Sequence, residues 1–258
     1  MDPLLSNITF DFLIVFIRIS SVVMILPGFS EAGVPPMARI GLSIALTTII
    51  APLVANVLPT MPQMPVPLLM LITEQIVIGI TIGWLTRTIL TSLPMAGQAI
   101  SYQIGLSSVL LPSTDLGSNS TLIASVLNLL LPVMFFGSAM IVFPILALIN
   151  SFHQLPADFS GQWSQSNLLS SIMKIIVQSV AFEFLIATQI AAPFLVIGLI
   201  WQAGLALMAK ASPQLQIFFV AAPLQILVGL ILFAMFLHPI LETWRNATSH
   251  LLLHYIAL

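Results

Sequence analysis

Eight acidic and six basic side chains carry all the Asp, Glu, Lys and Arg charge of this 258-residue chain, and several stand inside long apolar runs. An ionised Arg, Lys or Asp at the centre of a bilayer costs about 2.5–3.5 kcal/mol on insertion scales, so each asks for a partner, for water or for a function such as proton relay. Helix geometry tests whether neighbours on one segment could serve. At about 100° per residue, Asp11 and Arg18 lie on one face, roughly 10 Å apart along the axis, where a shared polar stripe is expected. Glu74 and Arg87 stand about 220° apart round a straight helix and Lys174 and Glu183 about 180°, so neither pair neutralises itself and their partners must come from elsewhere. The bland alternative is that Arg18, Arg87 and Lys174 sit near helix ends and reach the headgroups with their long stems. Glu74 and Glu183, with shorter side chains and apolar flanks, point to a polar interior or a neighbouring subunit, where a structural ion pair outweighs a proton relay. Lys210 closes the series beside Ser212-Pro213.

Catalytic constellations are absent from the sequence. There is no phosphate-binding loop, no HExxH and no nucleophile paired with a base; His250 and His254 have metal-compatible i, i+4 spacing, for which a solvated helix face is the better reading. The absence of cysteine removes thiolate chemistry and zinc-thiolate sites. No Lys/Arg-rich run suggests nucleic-acid binding, and no cofactor box is read into the abundant Phe and Met. These observations argue for a protein that is not an enzyme.

The elements that must hold these charges are helices in a charge-starved chain. Charged residues make up 5% and hydrophobic ones 59%, where soluble domains carry roughly 25% charged residues, so lipid or another apolar subunit must cover most of the surface. The uncharged stretches 40–73, 88–114, 116–157, 184–209 and 211–241 each exceed the ~20 residues that cross a hydrocarbon core. The fold class is therefore all-α, a polytopic helical membrane-type protein built of helical hairpins. One unit is expected over 1–258, with coarse halves 1–152 and 168–258 joined by a polar connector, 153–167. Met1 to Asn7 lacks the positive start of a cleavable signal peptide, so the first segment is expected to be retained.

Gly and Pro punctuation divides the chain into helices over about 8–26, 37–58 and 68–93, a less apolar segment from Pro94 over 95–111, a long helix over 121–152 with kink positions at Pro132 and Pro144, and apolar runs over 168–208 and 215–237. Pro193 or Gly198 marks a bend in the first of these last two. Four prolines between Pro59 and Pro67 predict a stiff polyproline strut. The tail places Leu241, Trp244, Thr248, Leu251, Tyr255 and Leu258 on one stripe, which wants a partner helix or a membrane surface. Gly79 and Gly83 form a GxxxG, and Gly97, Ser101 and Gly105 put small residues at i, i+4 and i+8, so both segments offer close helix approach. With Gln98, Tyr102 and Gln103 alongside, protein contact is favoured over lipid there.

The order of these features resembles the FliR family of flagellar export-gate proteins, whose injectisome counterpart is the SctT family. The stretch Ala209-Lys210-Ala211-Ser212-Pro213-Gln214-Leu215-Gln216-Ile217-Phe218 with Pro223 is similar to the family's Arg-x-x-Pro-Gln-x-Asn-x-Phe run. Supporting matches are Ala191-Ala192-Pro193, Gln103 to Ser107, Gly97, Glu74 with Gly79 and Gly83, and Arg18 through Pro27 to Pro35 and Arg39, so the likeness spans the chain. Lys210 replaces the usual Arg, which keeps charge but loses the planar fork; Gln216 replaces Asn, and the family's usual Asp-Pro is not reproduced, Pro112 to Asp115 standing in its neighbourhood.

What the resemblance implies is a non-enzymatic core subunit of the type III export gate in the bacterial inner membrane, within the flagellar basal body. It implies assembly with FliP-like and FliQ-like subunits, and contact with FlhB and FlhA, into a conical channel for unfolded protein substrates. The family fold is a FliP-like unit joined to a FliQ-like unit. A loop near 106–120, with Gly105, Leu106, Ser107, Pro112, Asp115 and Gly117, would help to plug the closed pore. The rival readings are a small secondary transporter or permease, since broken helices and intramembrane charges also build solute sites, and the equivalent virulence injectisome subunit.

Overall fold

The computed structural model describes residues 3–31, 33–59, 61–62, 64–106, 110–112, 119–154, 166–211 and 217–256. Among them the chain is all-α apart from one short hairpin: α1 Pro3–Val23, α2 Pro36–Val54 followed by a 3-10 turn Ala55–Val57, α3 Pro65–Gln103, β1 Leu110–Pro112, β2 Asn119–Thr121, α4 Leu122–Gly137, α5 Val142–Gln154, α6 Ser166–Ala211 and α7 Ile217–Ile256. The expected connector 153–167 lies mostly outside the described residues.

Among the described residues, four helical stretches are each long and apolar enough to cross a membrane: Pro36–Val57, Pro65–Gln103, Met173–Lys210 and Ala221–Leu252. At 1.5 Å per residue, the 39 residues of α3 and the 46 of α6 span roughly 58 and 69 Å, about twice a hydrocarbon core of ~30 Å. Such lengths leave each helix with turns beyond any single crossing. Apolar helices also carry hydroxyls because each returns its proton to its own backbone: Thr47 to Ser43 O, Thr81 to Val77 O and Thr86 to Ile82 O, at 2.6, 2.8 and 3.0 Å.

The breaks fall elsewhere than the prolines predict. Pro94 begins no separate segment, α6 runs through Pro193 and Gly198, and the last apolar run and the tail form one helix through Pro223 and Pro239. Each proline removes one amide donor, but in a long apolar run no other backbone conformation satisfies the remaining groups, so the helix persists. The long helix expected over 121–152 is instead two, meeting at 65°. Its break follows Gly137, where Ala139 takes a left-handed φ of 57°, and neither Pro132 nor Pro144 is the hinge. Pro65 and Pro67 belong to the first turn of α3, where missing amide protons cost nothing.

The chain packs as two compact units. One comprises 1–89, 135–180 and 251–258, the other 90–134 and 181–250. In the first, Phe10 and Ile14 of α1 bury against Leu71 of α3, with Leu58 and Leu68 packed around them. There α1 and α3 approach closely because Gly79 and Gly83 face α1: a Cβ at 79 would stand 2.6 Å from the Arg18 carbonyl oxygen, and one at 83 would stand 3.0 Å from Ile25 Cβ. In the second, Gly97 admits α4, since a Cβ there would lie 2.9 Å from Ala124 Cα. Trp244 of α7 is fully buried and donates its indole N–H to Ser92 Oγ at 3.1 Å, on the stripe that the tail pattern marks.

Candidate functional site

Two constellations gather the polar side chains. In the first unit, Arg18 has no exposed surface at all, and a charge buried there without partners would be destabilising by several kcal/mol. Its Nε donates to Gln75 Oε1 at 2.7 Å and its Nη1 to Ser151 Oγ at 3.1 Å, while Cζ lies 4.0 Å from the Phe152 ring centroid. The Glu74 carboxylate, itself buried, acts on the same guanidinium with opposite charge. Thus α1 supplies the cation, and α3 and α5 supply the groups that hold it. Asp11 lies two turns earlier and is half-buried. Nearby, Arg87 Nη1 donates to Ser30 Oγ at 3.4 Å and Arg39 Nη2 to the Glu31 carbonyl at 2.7 Å, so the two arginines tie down the connector between α1 and α2.

In the second unit the polar groups gather where α3 ends and the loop before α4 begins. Gln103 is the last helical residue, and Gly105 takes a φ of 82°, the left-handed turn that glycine allows at a helix C-terminus. Ile104 and Leu106 on either side are buried. The loop then forms a stem in which Leu110 pairs with Thr121, Leu111 with Ser120 and Pro112 with Asn119, antiparallel. Gln98 on α3 fastens the far side of this stem: its Oε1 accepts from Thr121 Oγ1 at 3.2 Å, while its Nε2 donates to the Tyr102 hydroxyl at 3.1 Å. Ser120 and Ser125 hydroxyls share a 2.6 Å hydrogen bond where β2 passes into α4. Both roots of the loop are therefore held by side chains.

The remaining sequence-predicted residues fall as follows. Glu183 on α6 accepts from Thr91 Oγ1 of α3 at 2.9 Å, within the second unit. Lys174 and Lys210 are exposed. Ser101 is fully buried and its hydroxyl has no hydrogen-bond partner. Ser107, Asp115, Gly117, Pro213, Gln214 and Gln216 lie outside the described residues; Phe218 and Pro223 stand in the first two turns of α7, Pro223 exposed. Sequence reasoning overlooked Gln75, Ser151 and Phe152 around Arg18, and Gln225, whose Nε2 donates to the Gln103 carbonyl at 2.7 Å. The available signal was a lone amide inside an apolar run, as meaningful there as a charge.

Comparison with known proteins places this arrangement in a family. The family model described as bacterial export proteins, family 1, matches residues 9–251. The flagellar biosynthetic protein FliR of Caulobacter vibrioides is 30% identical over 239 residues, covering 93% of this chain and 93% of its own. FliR of Escherichia coli K12 is 29% identical, covering 84% of this chain and 80% of its own. The Yop proteins translocation protein T of Yersinia pestis is 28% identical, covering 85% and 82%. With nearly its whole length matched, the chain belongs to the bacterial export proteins, family 1.

Proposed function

We propose that this membrane subunit of the flagellar type III export apparatus assembles with FliP-like and FliQ-like subunits into the channel of the export gate, and that its loop over 106–120 helps to plug the closed pore. The fold then resembles a FliP-like unit joined to a FliQ-like unit, the substrates are unfolded proteins, and the site is the bacterial inner membrane within the basal body, near FlhA-like and FlhB-like proteins. Its action is opening and closing rather than bond chemistry.

The observation that carries the plug reading is the fastening of both loop roots. A loop that merely joined two helices would need neither the Gln98 bond to Thr121 nor the Gln225 bond to Gln103; loops are ordinarily the less tethered parts of a fold. A segment that must occupy one place when the pore is shut needs its ends fixed. Supporting the assembly reading, the most apolar part of the Ala221–Leu252 stretch, with a mean hydropathy of 2.3, has only 11% of its residues buried within the chain. The exposed side chains there include Leu224, Leu227, Ile231 and Met235.

Deleting residues 113–118 tests the plug. In cells carrying that deletion in place of the native chain, the membrane is expected to admit small ions or a dye that the wild type excludes, while the subunit remains at normal abundance. Unchanged permeability at normal abundance would contradict the plug.

A further inference from the structure

Within the second unit, α6 and α7 undergo the same change of chemistry along their exposed faces. On α6, Gln189, Val196, Ile200, Ala203, Leu207 and Lys210 are all exposed and recur at intervals of seven, four and three, so they form one stripe. It is polar at its two ends and apolar between; Gln202 lies off it, about 160° round from Ile200. On α7, the exposed stripe of Leu224, Leu227, Ile231 and Met235 passes into His238, Glu242 and Arg245. The His238 and Glu242 side chains, 3.9 Å apart, are 91% and 54% exposed. Bared to hydrocarbon they would have nothing to replace water. Past them α7 turns Asn246 and His250 outward while Ile240, Trp244 and Thr248 stay buried, the pattern of a helix side washed by water.

The two changes occur at one height. Five residues separate α6 from α7, a short connection that makes neighbouring helices antiparallel, and the Phe194 and Phe236 rings stand 6.1 Å apart between them. From that contact Gln189 lies roughly 8 Å along α6 and Glu242 roughly 9 Å along α7, in the same direction. One plane therefore divides apolar from polar exposure on both helices. In the other direction the α6 stripe ends at Lys210, 21 residues from Gln189, or roughly 31 Å. A hydrocarbon core is ~30 Å thick. Lys210 is also the sole Asp, Glu, Lys or Arg between Glu183 and Glu242. Its ammonium has no acid to meet along this stretch and suits the anionic phosphates of a headgroup layer, which its long stem can reach. A covering protein would dictate neither that length nor a cation at its end.

We propose that the α6 stripe of Val196, Ile200, Ala203 and Leu207 faces lipid acyl chains directly, with Lys210 at one headgroup layer and Gln189, His238 and Glu242 at the other. Neighbouring subunits then take the apolar face of α7 and the turns of α6 beyond Gln189, where Phe184 and Leu185 are still 54% and 51% exposed.

The chain has no cysteine, so single replacements in the full-length chain, in native membranes with the other subunits present, report their surroundings. Ile200→Cys and Leu207→Cys are expected to react with a water-soluble maleimide at least about tenfold more slowly than Arg245→Cys and Asn246→Cys, because a thiol in apolar surroundings forms little thiolate. Comparable rates at the four positions would overturn the band. Photo-reactive benzoylphenylalanine placed at Val196 or Ile200 decides what covers it. A phospholipid adduct of the full-length chain, identified by its mass, is expected; a protein adduct alone, or no lipid adduct at either position, overturns the lipid face. None of these readouts depends on ion or dye leak, so the lipid face and the plug stand or fall separately.

Discussion

Arg18 shows at the scale of one residue how a charge is kept inside an apolar unit. Its guanidinium uses separate nitrogens toward Gln75 and Ser151, stacks on Phe152 and answers the charge of Glu74. Arg18→Met would leave the buried Glu74 carboxylate without that opposite charge, a loss of about 3–5 kcal/mol. The chain's retention after heating in detergent should fall sharply. Arg18→Lys keeps the charge but not the fork, so its retention should lie between the two. Combining Arg18→Met with Glu74→Gln should recover part of the loss, because no ionised group is then left alone. Equal retention of wild type and Arg18→Met would remove the cluster from the account. The sequence made Arg18 conspicuous, and it excluded Arg87 as the partner of Glu74 by helix angle. It could not reveal Ser151, because a serine 133 positions away in sequence carries no local mark of the contact.

At the scale of elements, helix approach depends on which glycines face a neighbour. Gly79 sits against the α1 backbone, whereas a Cβ at Gly41 of α2 would meet nothing within 4 Å. Gly79→Ala must therefore push α1 off α3 and lower heat resistance of the detergent-solubilised chain. Gly41→Ala adds helix propensity of up to about 1 kcal/mol and should leave that resistance equal or higher. Loss of resistance in Gly41→Ala but not Gly79→Ala would reverse the assignment of packing faces. The apolar runs made the spans legible, and the alternation of three and four in the tail placed Trp244 and Thr248 on a face that is indeed buried. Helix ends were harder to read. Proline is a strong breaker where water can satisfy freed carbonyls, but within runs such as those around Pro94 and Pro193 the backbone has no alternative to helix. Conversely, the true bend at Ala139 carries no proline, and its left-handed φ is a property of tertiary packing that alanine does not advertise. The hairpin stem between Leu110 and Thr121 was likewise hidden, since three-residue strands have no periodicity to detect.

At the scale of the whole molecule, the controlling fact is a shortage of self-burial. Helices with mean hydropathies of 1.9 to 2.3 bury between 11% and 33% of their most apolar stretches within the chain, and contiguous apolar surface of that kind marks an interaction or membrane face. Lipid alone could cover an apolar helix, but α3 and α6 are about twice as long as a hydrocarbon core is thick, which leaves apolar turns for protein to cover. The family membership supplies a setting in which other export components are at hand. The most direct test is isolation of a tagged copy from native membranes in mild detergent, with the mass and composition of the recovered particle determined. The account predicts the chain held in a discrete complex with FliP-like and FliQ-like subunits, and aggregation of the chain when those subunits are deleted. Recovery of the chain alone as a single monodisperse species, in the presence or absence of those subunits, would contradict it.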